Sequence, residues 1–176
     1  VIIGAAWSLA TAKQPARVIG DAHYEVAAQL GREKLTDMPG LNEFTAAMEK
    51  VFNAADPDGL ALFAAFKSMP LAEDTPARAM QLAASLREFR GSAHLIAIRA
   101  VGLTSKQAHY VKRPNDVKGF GWGEDDAPVV DDTVRALMVE AEKLTDALCI
   151  PAYSVLNEAE RKALVDGAKA FESALK

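Results

Sequence analysis

The sequence predicts an all-α fold: a multi-helix domain built around one long central helix. Three observations carry this. Apolar residues recur at three- and four-residue spacing along most of the chain, the period of one helix face. The breaks in that pattern fall at proline, glycine and capping residues, where helices end. The longest patterned segment, residues 76–101, keeps an uninterrupted apolar seam.

Residues 1–12 are an apolar segment patterned as the end of a helix, and the absence of a starting methionine implies sequence before Val1. Pro15 suits the first turn of the next helix, where a missing N–H costs nothing. Ile19, Ala22, Val26 and Leu30 carry that helix to about residue 34. Asp37 is the expected N-cap of a third helix, with Leu41, Phe44, Met48, Val51 and Phe52 inward. Asp56-Pro57-Asp58-Gly59 reads as a turn, a short helix follows over residues 60–67, and Pro70 ends it. Thr75 is expected to cap the long helix, with Pro76 at its first helical position. Its seam is Ala79, Leu82, Leu86, Phe89, Ala93, Ile96 and Ala100. Gly102 is the left-handed stop. Thr104 and Gln107 form a capping box for a short helix to about residue 112.

Residues 113–130 are the one long irregular stretch, holding Phe120 and Trp122 among prolines and glycines before the acidic Glu124-Asp125-Asp126. Helix returns at Asp132, with Val134, Leu137, Ala141, Leu144 and Leu148 inward, and is expected to stop before Pro151. Asn157 and Glu160 mark the last start, with Leu164, Ala168, Phe171 and Leu175 inward. The expected organisation is therefore a helical domain over residues 1–112, an irregular loop over 113–130, and C-terminal helices over 131–176 packing on the same core.

The chain has 176 residues, half of them hydrophobic, which is enough apolar material for a core. A formal net charge of −4 argues against a chain that is basic throughout, as strong nucleic-acid binders often are. Cys149 is the one cysteine, so no internal disulfide forms and a cytoplasmic location is expected. No apolar run reaches the roughly 18 residues of a membrane span, so no membrane partner is expected.

Chemistry-bearing residues gather first at 87–94, R-E-F-R-G-S-A-H. At about 100° per residue, His94 lies about 40° and Arg87 about 60° from Arg90. These three form one stripe beside the apolar seam, with Gly91 on its border and Glu88 on the other side. A mid-helix glycine costs about 0.5–1 kcal/mol relative to alanine, so close helix approach or room for a ligand is expected there. Two readings follow. In one, the arginines lie along a neighbouring helix and bind carboxylates from Glu25, Glu140 or Glu142, with His94 satisfied in the core. In the other, Arg87, Arg90, Gly91 and His94 line a site for a small anionic or carbonyl-bearing ligand. A histidine can transfer protons, but no sequence-local nucleophile accompanies it, so nothing further points to an enzyme. His23 and His109 stand apart. No metal-ligand spacing such as H-x₃-H or CxxC, no P-loop and no dinucleotide fingerprint is present, so neither a metal nor a cofactor is expected.

A second gathering lies in I-R-A-V-G-L-T-S-K-Q-A-H-Y-V, residues 98–111. A helix ends at glycine and a capped helix begins after a tight turn, as a helix-turn-helix requires. Lys106, Gln107, Tyr110, Lys112 and Arg113 are then the residues placed to meet phosphates and base edges of DNA.

Three runs, L-R-E-F-R-G-S-A-H-L-I-A, A-V-G-L and F-G-W-G-E-D-D, together with the later E-K-L-T-D-A-L and P-A-Y, resemble the actinobacterial SalK-type helix-turn-helix family. The resemblance runs from about residue 56 to the C-terminus and is weaker before it. Arg87, Glu88, Arg90, Gly91 and His94 match the family's L-R-E-H-R-G-D-G-H pattern in order. Phe89, Ser92 and Ala93 depart from it. The resemblance implies a regulator-like, winged-helix protein, with a degenerate or truncated winged helix-turn-helix region here, shortened over residues 113–130. Members continue after G-W through a full helix and a wing, whereas here Gly121-Trp122-Gly123 passes almost directly to Val129-Val130. That element is either lost from this protein or missing from this chain. The leading reading is a regulator-like, ligand-responsive DNA-binding protein. The alternative is a helical small-molecule-binding protein using the pocket beside Arg87, Arg90 and His94. Candidate partners are DNA, a small anionic ligand and a second copy of the chain.

Overall fold

The computed structural model describes residues 2–123, 125 and 127–176. Their regular structure is helical, with no strand among them: α1 (Ile2–Thr11), α2 (Ala16–Lys34), α3 (Leu41–Ala54), α4 (Ala61–Lys67), α5 (Thr75–Ala100), α6 (Ser105–Lys112), α7 (Asp132–Tyr153) and α8 (Glu158–Ala174). A 3-10 turn, Val117–Phe120, lies between α6 and α7. The all-α expectation therefore holds. No described helix is long and apolar enough to cross a membrane.

The chain folds as two compact units, each assembled from two stretches: residues 20–92 with 149–176, and residues 1–19 with 93–148. In the first unit the core is aromatic and aliphatic. Phe63 is fully buried, with ring centroids of Phe52 and Phe89 at 6.0 and 5.0 Å, distances at which edge-to-face and tilted pairs are favourable. Two glycines let helices close on each other. A Cβ at Gly31 of α2 would stand 2.3 Å from the Pro76 carbonyl oxygen of α5. One at Gly167 of α8 would stand 2.4 Å from the Phe44 ring of α3. Lys67 closes the end of α3: its ammonium donates to the carbonyls of Asn53 and Ala55, satisfying acceptors that a helix leaves open at its C-terminus. Burial pushes its pKa down, opposed by the charge of Asp56.

Several local expectations are corrected. Asp37 does not cap α3; Gly40 precedes Leu41 in the left-handed region at φ 70° and offers no side chain. Pro39 disfavours helical torsions at Met38, which delays the start. The cap of α5 is Asp74, one residue before Thr75: its carboxylate accepts the Ala77 N–H at 3.2 Å and also pairs with Arg32 at 2.8 Å. Helix α7 does not stop at Pro151 but runs through it to Tyr153. Buried Cys149 and Ala152 on either side hold that last turn against the lost backbone bond. The seam of α5 holds as far as Ala93, but Ile96 is 41% exposed and Ala97 is buried in its place. At about 100° per residue Ala97 lies in line with Ala79, while Ile96 is about 100° off. On α8, Gly167 takes the buried position expected of Ala168, which is exposed.

Candidate nucleic-acid interface

The second unit contains the turn between α5 and α6. Gly102 takes φ 87°, which other residues adopt only at a cost. The Leu103 N–H donates to Ile98 O at 3.0 Å and the Gly102 N–H to Arg99 O at 3.2 Å. These are the six-to-one and five-to-two bonds of a Schellman ending, and Ile98 and Leu103 supply its apolar contact. Thr104 then opens α6. Its hydroxyl oxygen accepts the Gln107 N–H at 3.1 Å, while its own N–H donates to Gln107 Oε1 at 3.0 Å. The capping box expected from the sequence is present. Ala97, Ile98, Leu103 and Ala108 share one core with Val134, Met138 and Ala141 of α7.

That core fixes which side of α6 faces away. Ala108 and Val111 point into it. Taking Lys106 as origin, Tyr110, Arg113 and His109 lie within about 60°, and Ala108 and Val111 about 140–160° away. The outward face therefore carries Lys106, His109, Tyr110 and Arg113. Phe120, Trp122 and Gly123 lie against it. The Lys106 ammonium sits 5.6 Å from the Trp122 ring centroid. Tyr110 stacks on Trp122 at 6.3 Å, and its hydroxyl donates to Gly123 O at 3.1 Å. The His109 ring meets Phe120 edge-on at 4.6 Å, and Phe120 stacks on Trp122 at 5.2 Å.

The five residues expected to contact DNA are thus placed differently from one another. Lys106 and Tyr110 lie under the aromatic residues. Gln107 has its carbonyl oxygen in the capping box. Lys112 forms an ion pair with Glu142 of α7 at 2.8 Å. Arg113 is exposed at the end of the helix. Sequence reasoning set His109 aside and did not connect Phe120 and Trp122 to α6. The available signal was the helical spacing that puts His109 on the face of Lys106 and Tyr110, with two large aromatics a few residues downstream.

The stripe of α5 does not turn inward as a whole. The Arg87 side chain is 79% exposed and pairs with its neighbour Glu88. Arg90 is exposed, and its charge lowers the pKa of Tyr153, which burial raises by a larger amount. Gly91 is exposed, and a Cβ there would meet nothing nearer than Glu88 Oε2 at 3.9 Å. The close helix approach expected at Gly91 is absent among the described residues. His94 is half-buried, with Nδ1 2.8 Å from Thr145 Oγ1. The Thr145 hydroxyl gives its hydrogen to Ala141 O, so it accepts from His94 and Nδ1 carries the proton. Glu142 stands 4.0 Å from the same nitrogen. Of the other carboxylates expected to meet the arginines, Glu25 pairs with Arg32 and Glu140 with Lys143.

A family model described as Helix-turn-helix family matches residues 2–127, well over half of the chain. The chain belongs to the Helix-turn-helix family. The family match takes in α1 to α6 and the 3-10 turn, so it covers the N-terminal helices where the sequence resemblance was weaker, and it ends before α7. No curated protein and no solved structure matches the chain.

Proposed function

We propose that this member of the Helix-turn-helix family is a regulator-like protein that contacts DNA through α6. The observation that carries the reading is the Schellman-ended α5 followed by the capped α6 over one shared core, within a chain of this family. Such a turn presents the outward face of its second helix to a duplex, and here that face holds Lys106, Tyr110 and Arg113, with Gln107 and Lys112 on its flanks. The finer likeness to SalK-type members, through Arg87, Glu88, Arg90, Gly91 and His94, supports the regulator-like part.

The binding is of low affinity and phosphate-directed. The net charge of −4 opposes a polyanion, Lys112 has to exchange Glu142 for phosphate, and no wing strand is present among the described residues. Phosphate contacts release counterions, so log affinity falls with log salt by about 0.9 per contact. Anisotropy of a labelled duplex, titrated across a salt series, measures that slope. Replacing Lys106, Lys112 and Arg113 together with alanine is expected to reduce it by about 2–3. Duplex binding with a slope unchanged by the triple substitution would remove α6 from the interface.

A further inference from the structure

We propose that residues 117–123 are a strap that occludes the outward face of α6 and must lift before that face meets DNA; the inference rests on the reading of α6 given above. The strap covers the side opposite the core, which is the side a duplex would approach. It is held there by specific contacts: Trp122 under the Lys106 ammonium, Tyr110 stacked on Trp122, the Tyr110 hydroxyl on Gly123 O, and His109 against Phe120. A cation held over an aromatic ring is withdrawn from phosphate, since both compete for the same charge.

The backbone of the strap also has room to change its torsions. Val117 is buried and anchors its start. Beyond it come Gly119, Gly121 and Gly123, and a Cβ at Gly119 or Gly123 would meet nothing within 4 Å. Gly121 takes φ 75°, so the backbone here turns through torsions open mainly to glycine. Phe120 is 40% exposed, so its ring leaves its neighbours without emptying a core. The contacts named hold the strap closed and are of a kind that phosphates can replace.

The test uses the whole chain and a labelled duplex at low salt. Trp122→Ala, and separately Phe120→Ala, should tighten binding by roughly tenfold, the equilibrium worth of a lost aromatic pair. They should also steepen the salt slope as Lys106 becomes available. A Trp7→Phe background leaves Trp122 as the only tryptophan, and saturating duplex should raise its quenching by acrylamide. Circular dichroism of each variant checks that the helices remain. If wild type and variants bind alike, and quenching does not change, α6 still contacts DNA but the strap does not gate it. Weaker binding by Trp122→Ala, with Trp122 shielded by DNA, makes the aromatics part of the interface and overturns the strap. No binding by any form, with the helices intact, overturns both the strap and the reading of α6.

Discussion

At Gly31 and Gly167 the missing Cβ decides how near two helices come; at Gly91 it decides nothing of the kind. Contacts of 2.3 and 2.4 Å cannot be kept by a real Cβ; the atoms met at Gly31 are the Pro76 carbonyl and the Met80 Cβ, and those at Gly167 include the Phe44 Cβ. Neither can swing aside. Gly31→Ala and Gly167→Ala should each destabilise the fold by about 1–3 kcal/mol, the usual cost of overpacking. Gly91→Ala has open space and a helical backbone, so it should be neutral or stabilise by up to about 0.5–1 kcal/mol. Denaturant unfolding of the three variants checks the order. A loss at Gly91 as large as at Gly167 would mean that something presses on α5 there. The same residue type was read from the sequence as a site marker, and its surroundings reverse that reading.

At the scale of the element, α5 shows how a regular pattern drifts. A seam written with alternating steps of three and four advances 3.5 residues per turn, whereas the helix turns every 3.6. Over the length of α5 this carries the written seam off the buried face, and Ala97 replaces Ile96. Leu86→Ala should therefore cost about 2–5 kcal/mol, as a buried leucine does. Ile96→Ala, at a position already 41% exposed, should cost well under about 1 kcal/mol, as surface substitutions do. Equal losses in chemical denaturation would put Ile96 back in the core. Reciprocal capping boxes were read accurately, whereas at α3 the adjacent Pro39 and Gly40 displaced the cap expected at Asp37. The boxes at Thr104 and Asn157 are both present. Where a neighbour contributes, the reading missed: Asp74 caps α5 while held by Arg32 from α2.

For the molecule as a whole, surface charge predicts the response to acid. The carboxyl of Asp74 is held below its ordinary range chiefly by Arg32, that of Glu160 by Lys50, and that of Asp166 by Lys162. Each folded pKa lies below its unfolded value, so the stabilisation is complete above the unfolded carboxylate range of about 4. It is lost as pH falls through the folded values. These pairs are exposed, so the gain is modest and weakened by salt. The melting temperature should be level from neutral pH to about 5 and fall below about pH 4, less steeply at high salt. Asp74→Asn, which keeps an acceptor for the cap, should flatten part of that fall. A melting temperature that rises on acidification would contradict the three pairs together.

Lys106 and Tyr110 were legible as one helical face, and Gly102, Thr104 and Gln107 as the turn that presents it, because each of those features is closed within a few residues of chain. The helical class, most element ends and the helix-turn-helix could be read without a structure, since capping bonds, left-handed glycines and the 3.6-residue period are short-range. What lies against each face is set by long-range packing. It set Phe44 against Gly167, joined His94 to Thr145 across 51 residues, and laid Phe120 and Trp122 over α6. These outcomes depend on packing between segments whose separation no local spacing encodes. A glycine, a histidine or a lysine therefore reads alike in the sequence whether its neighbour is water, an aromatic ring or a second helix.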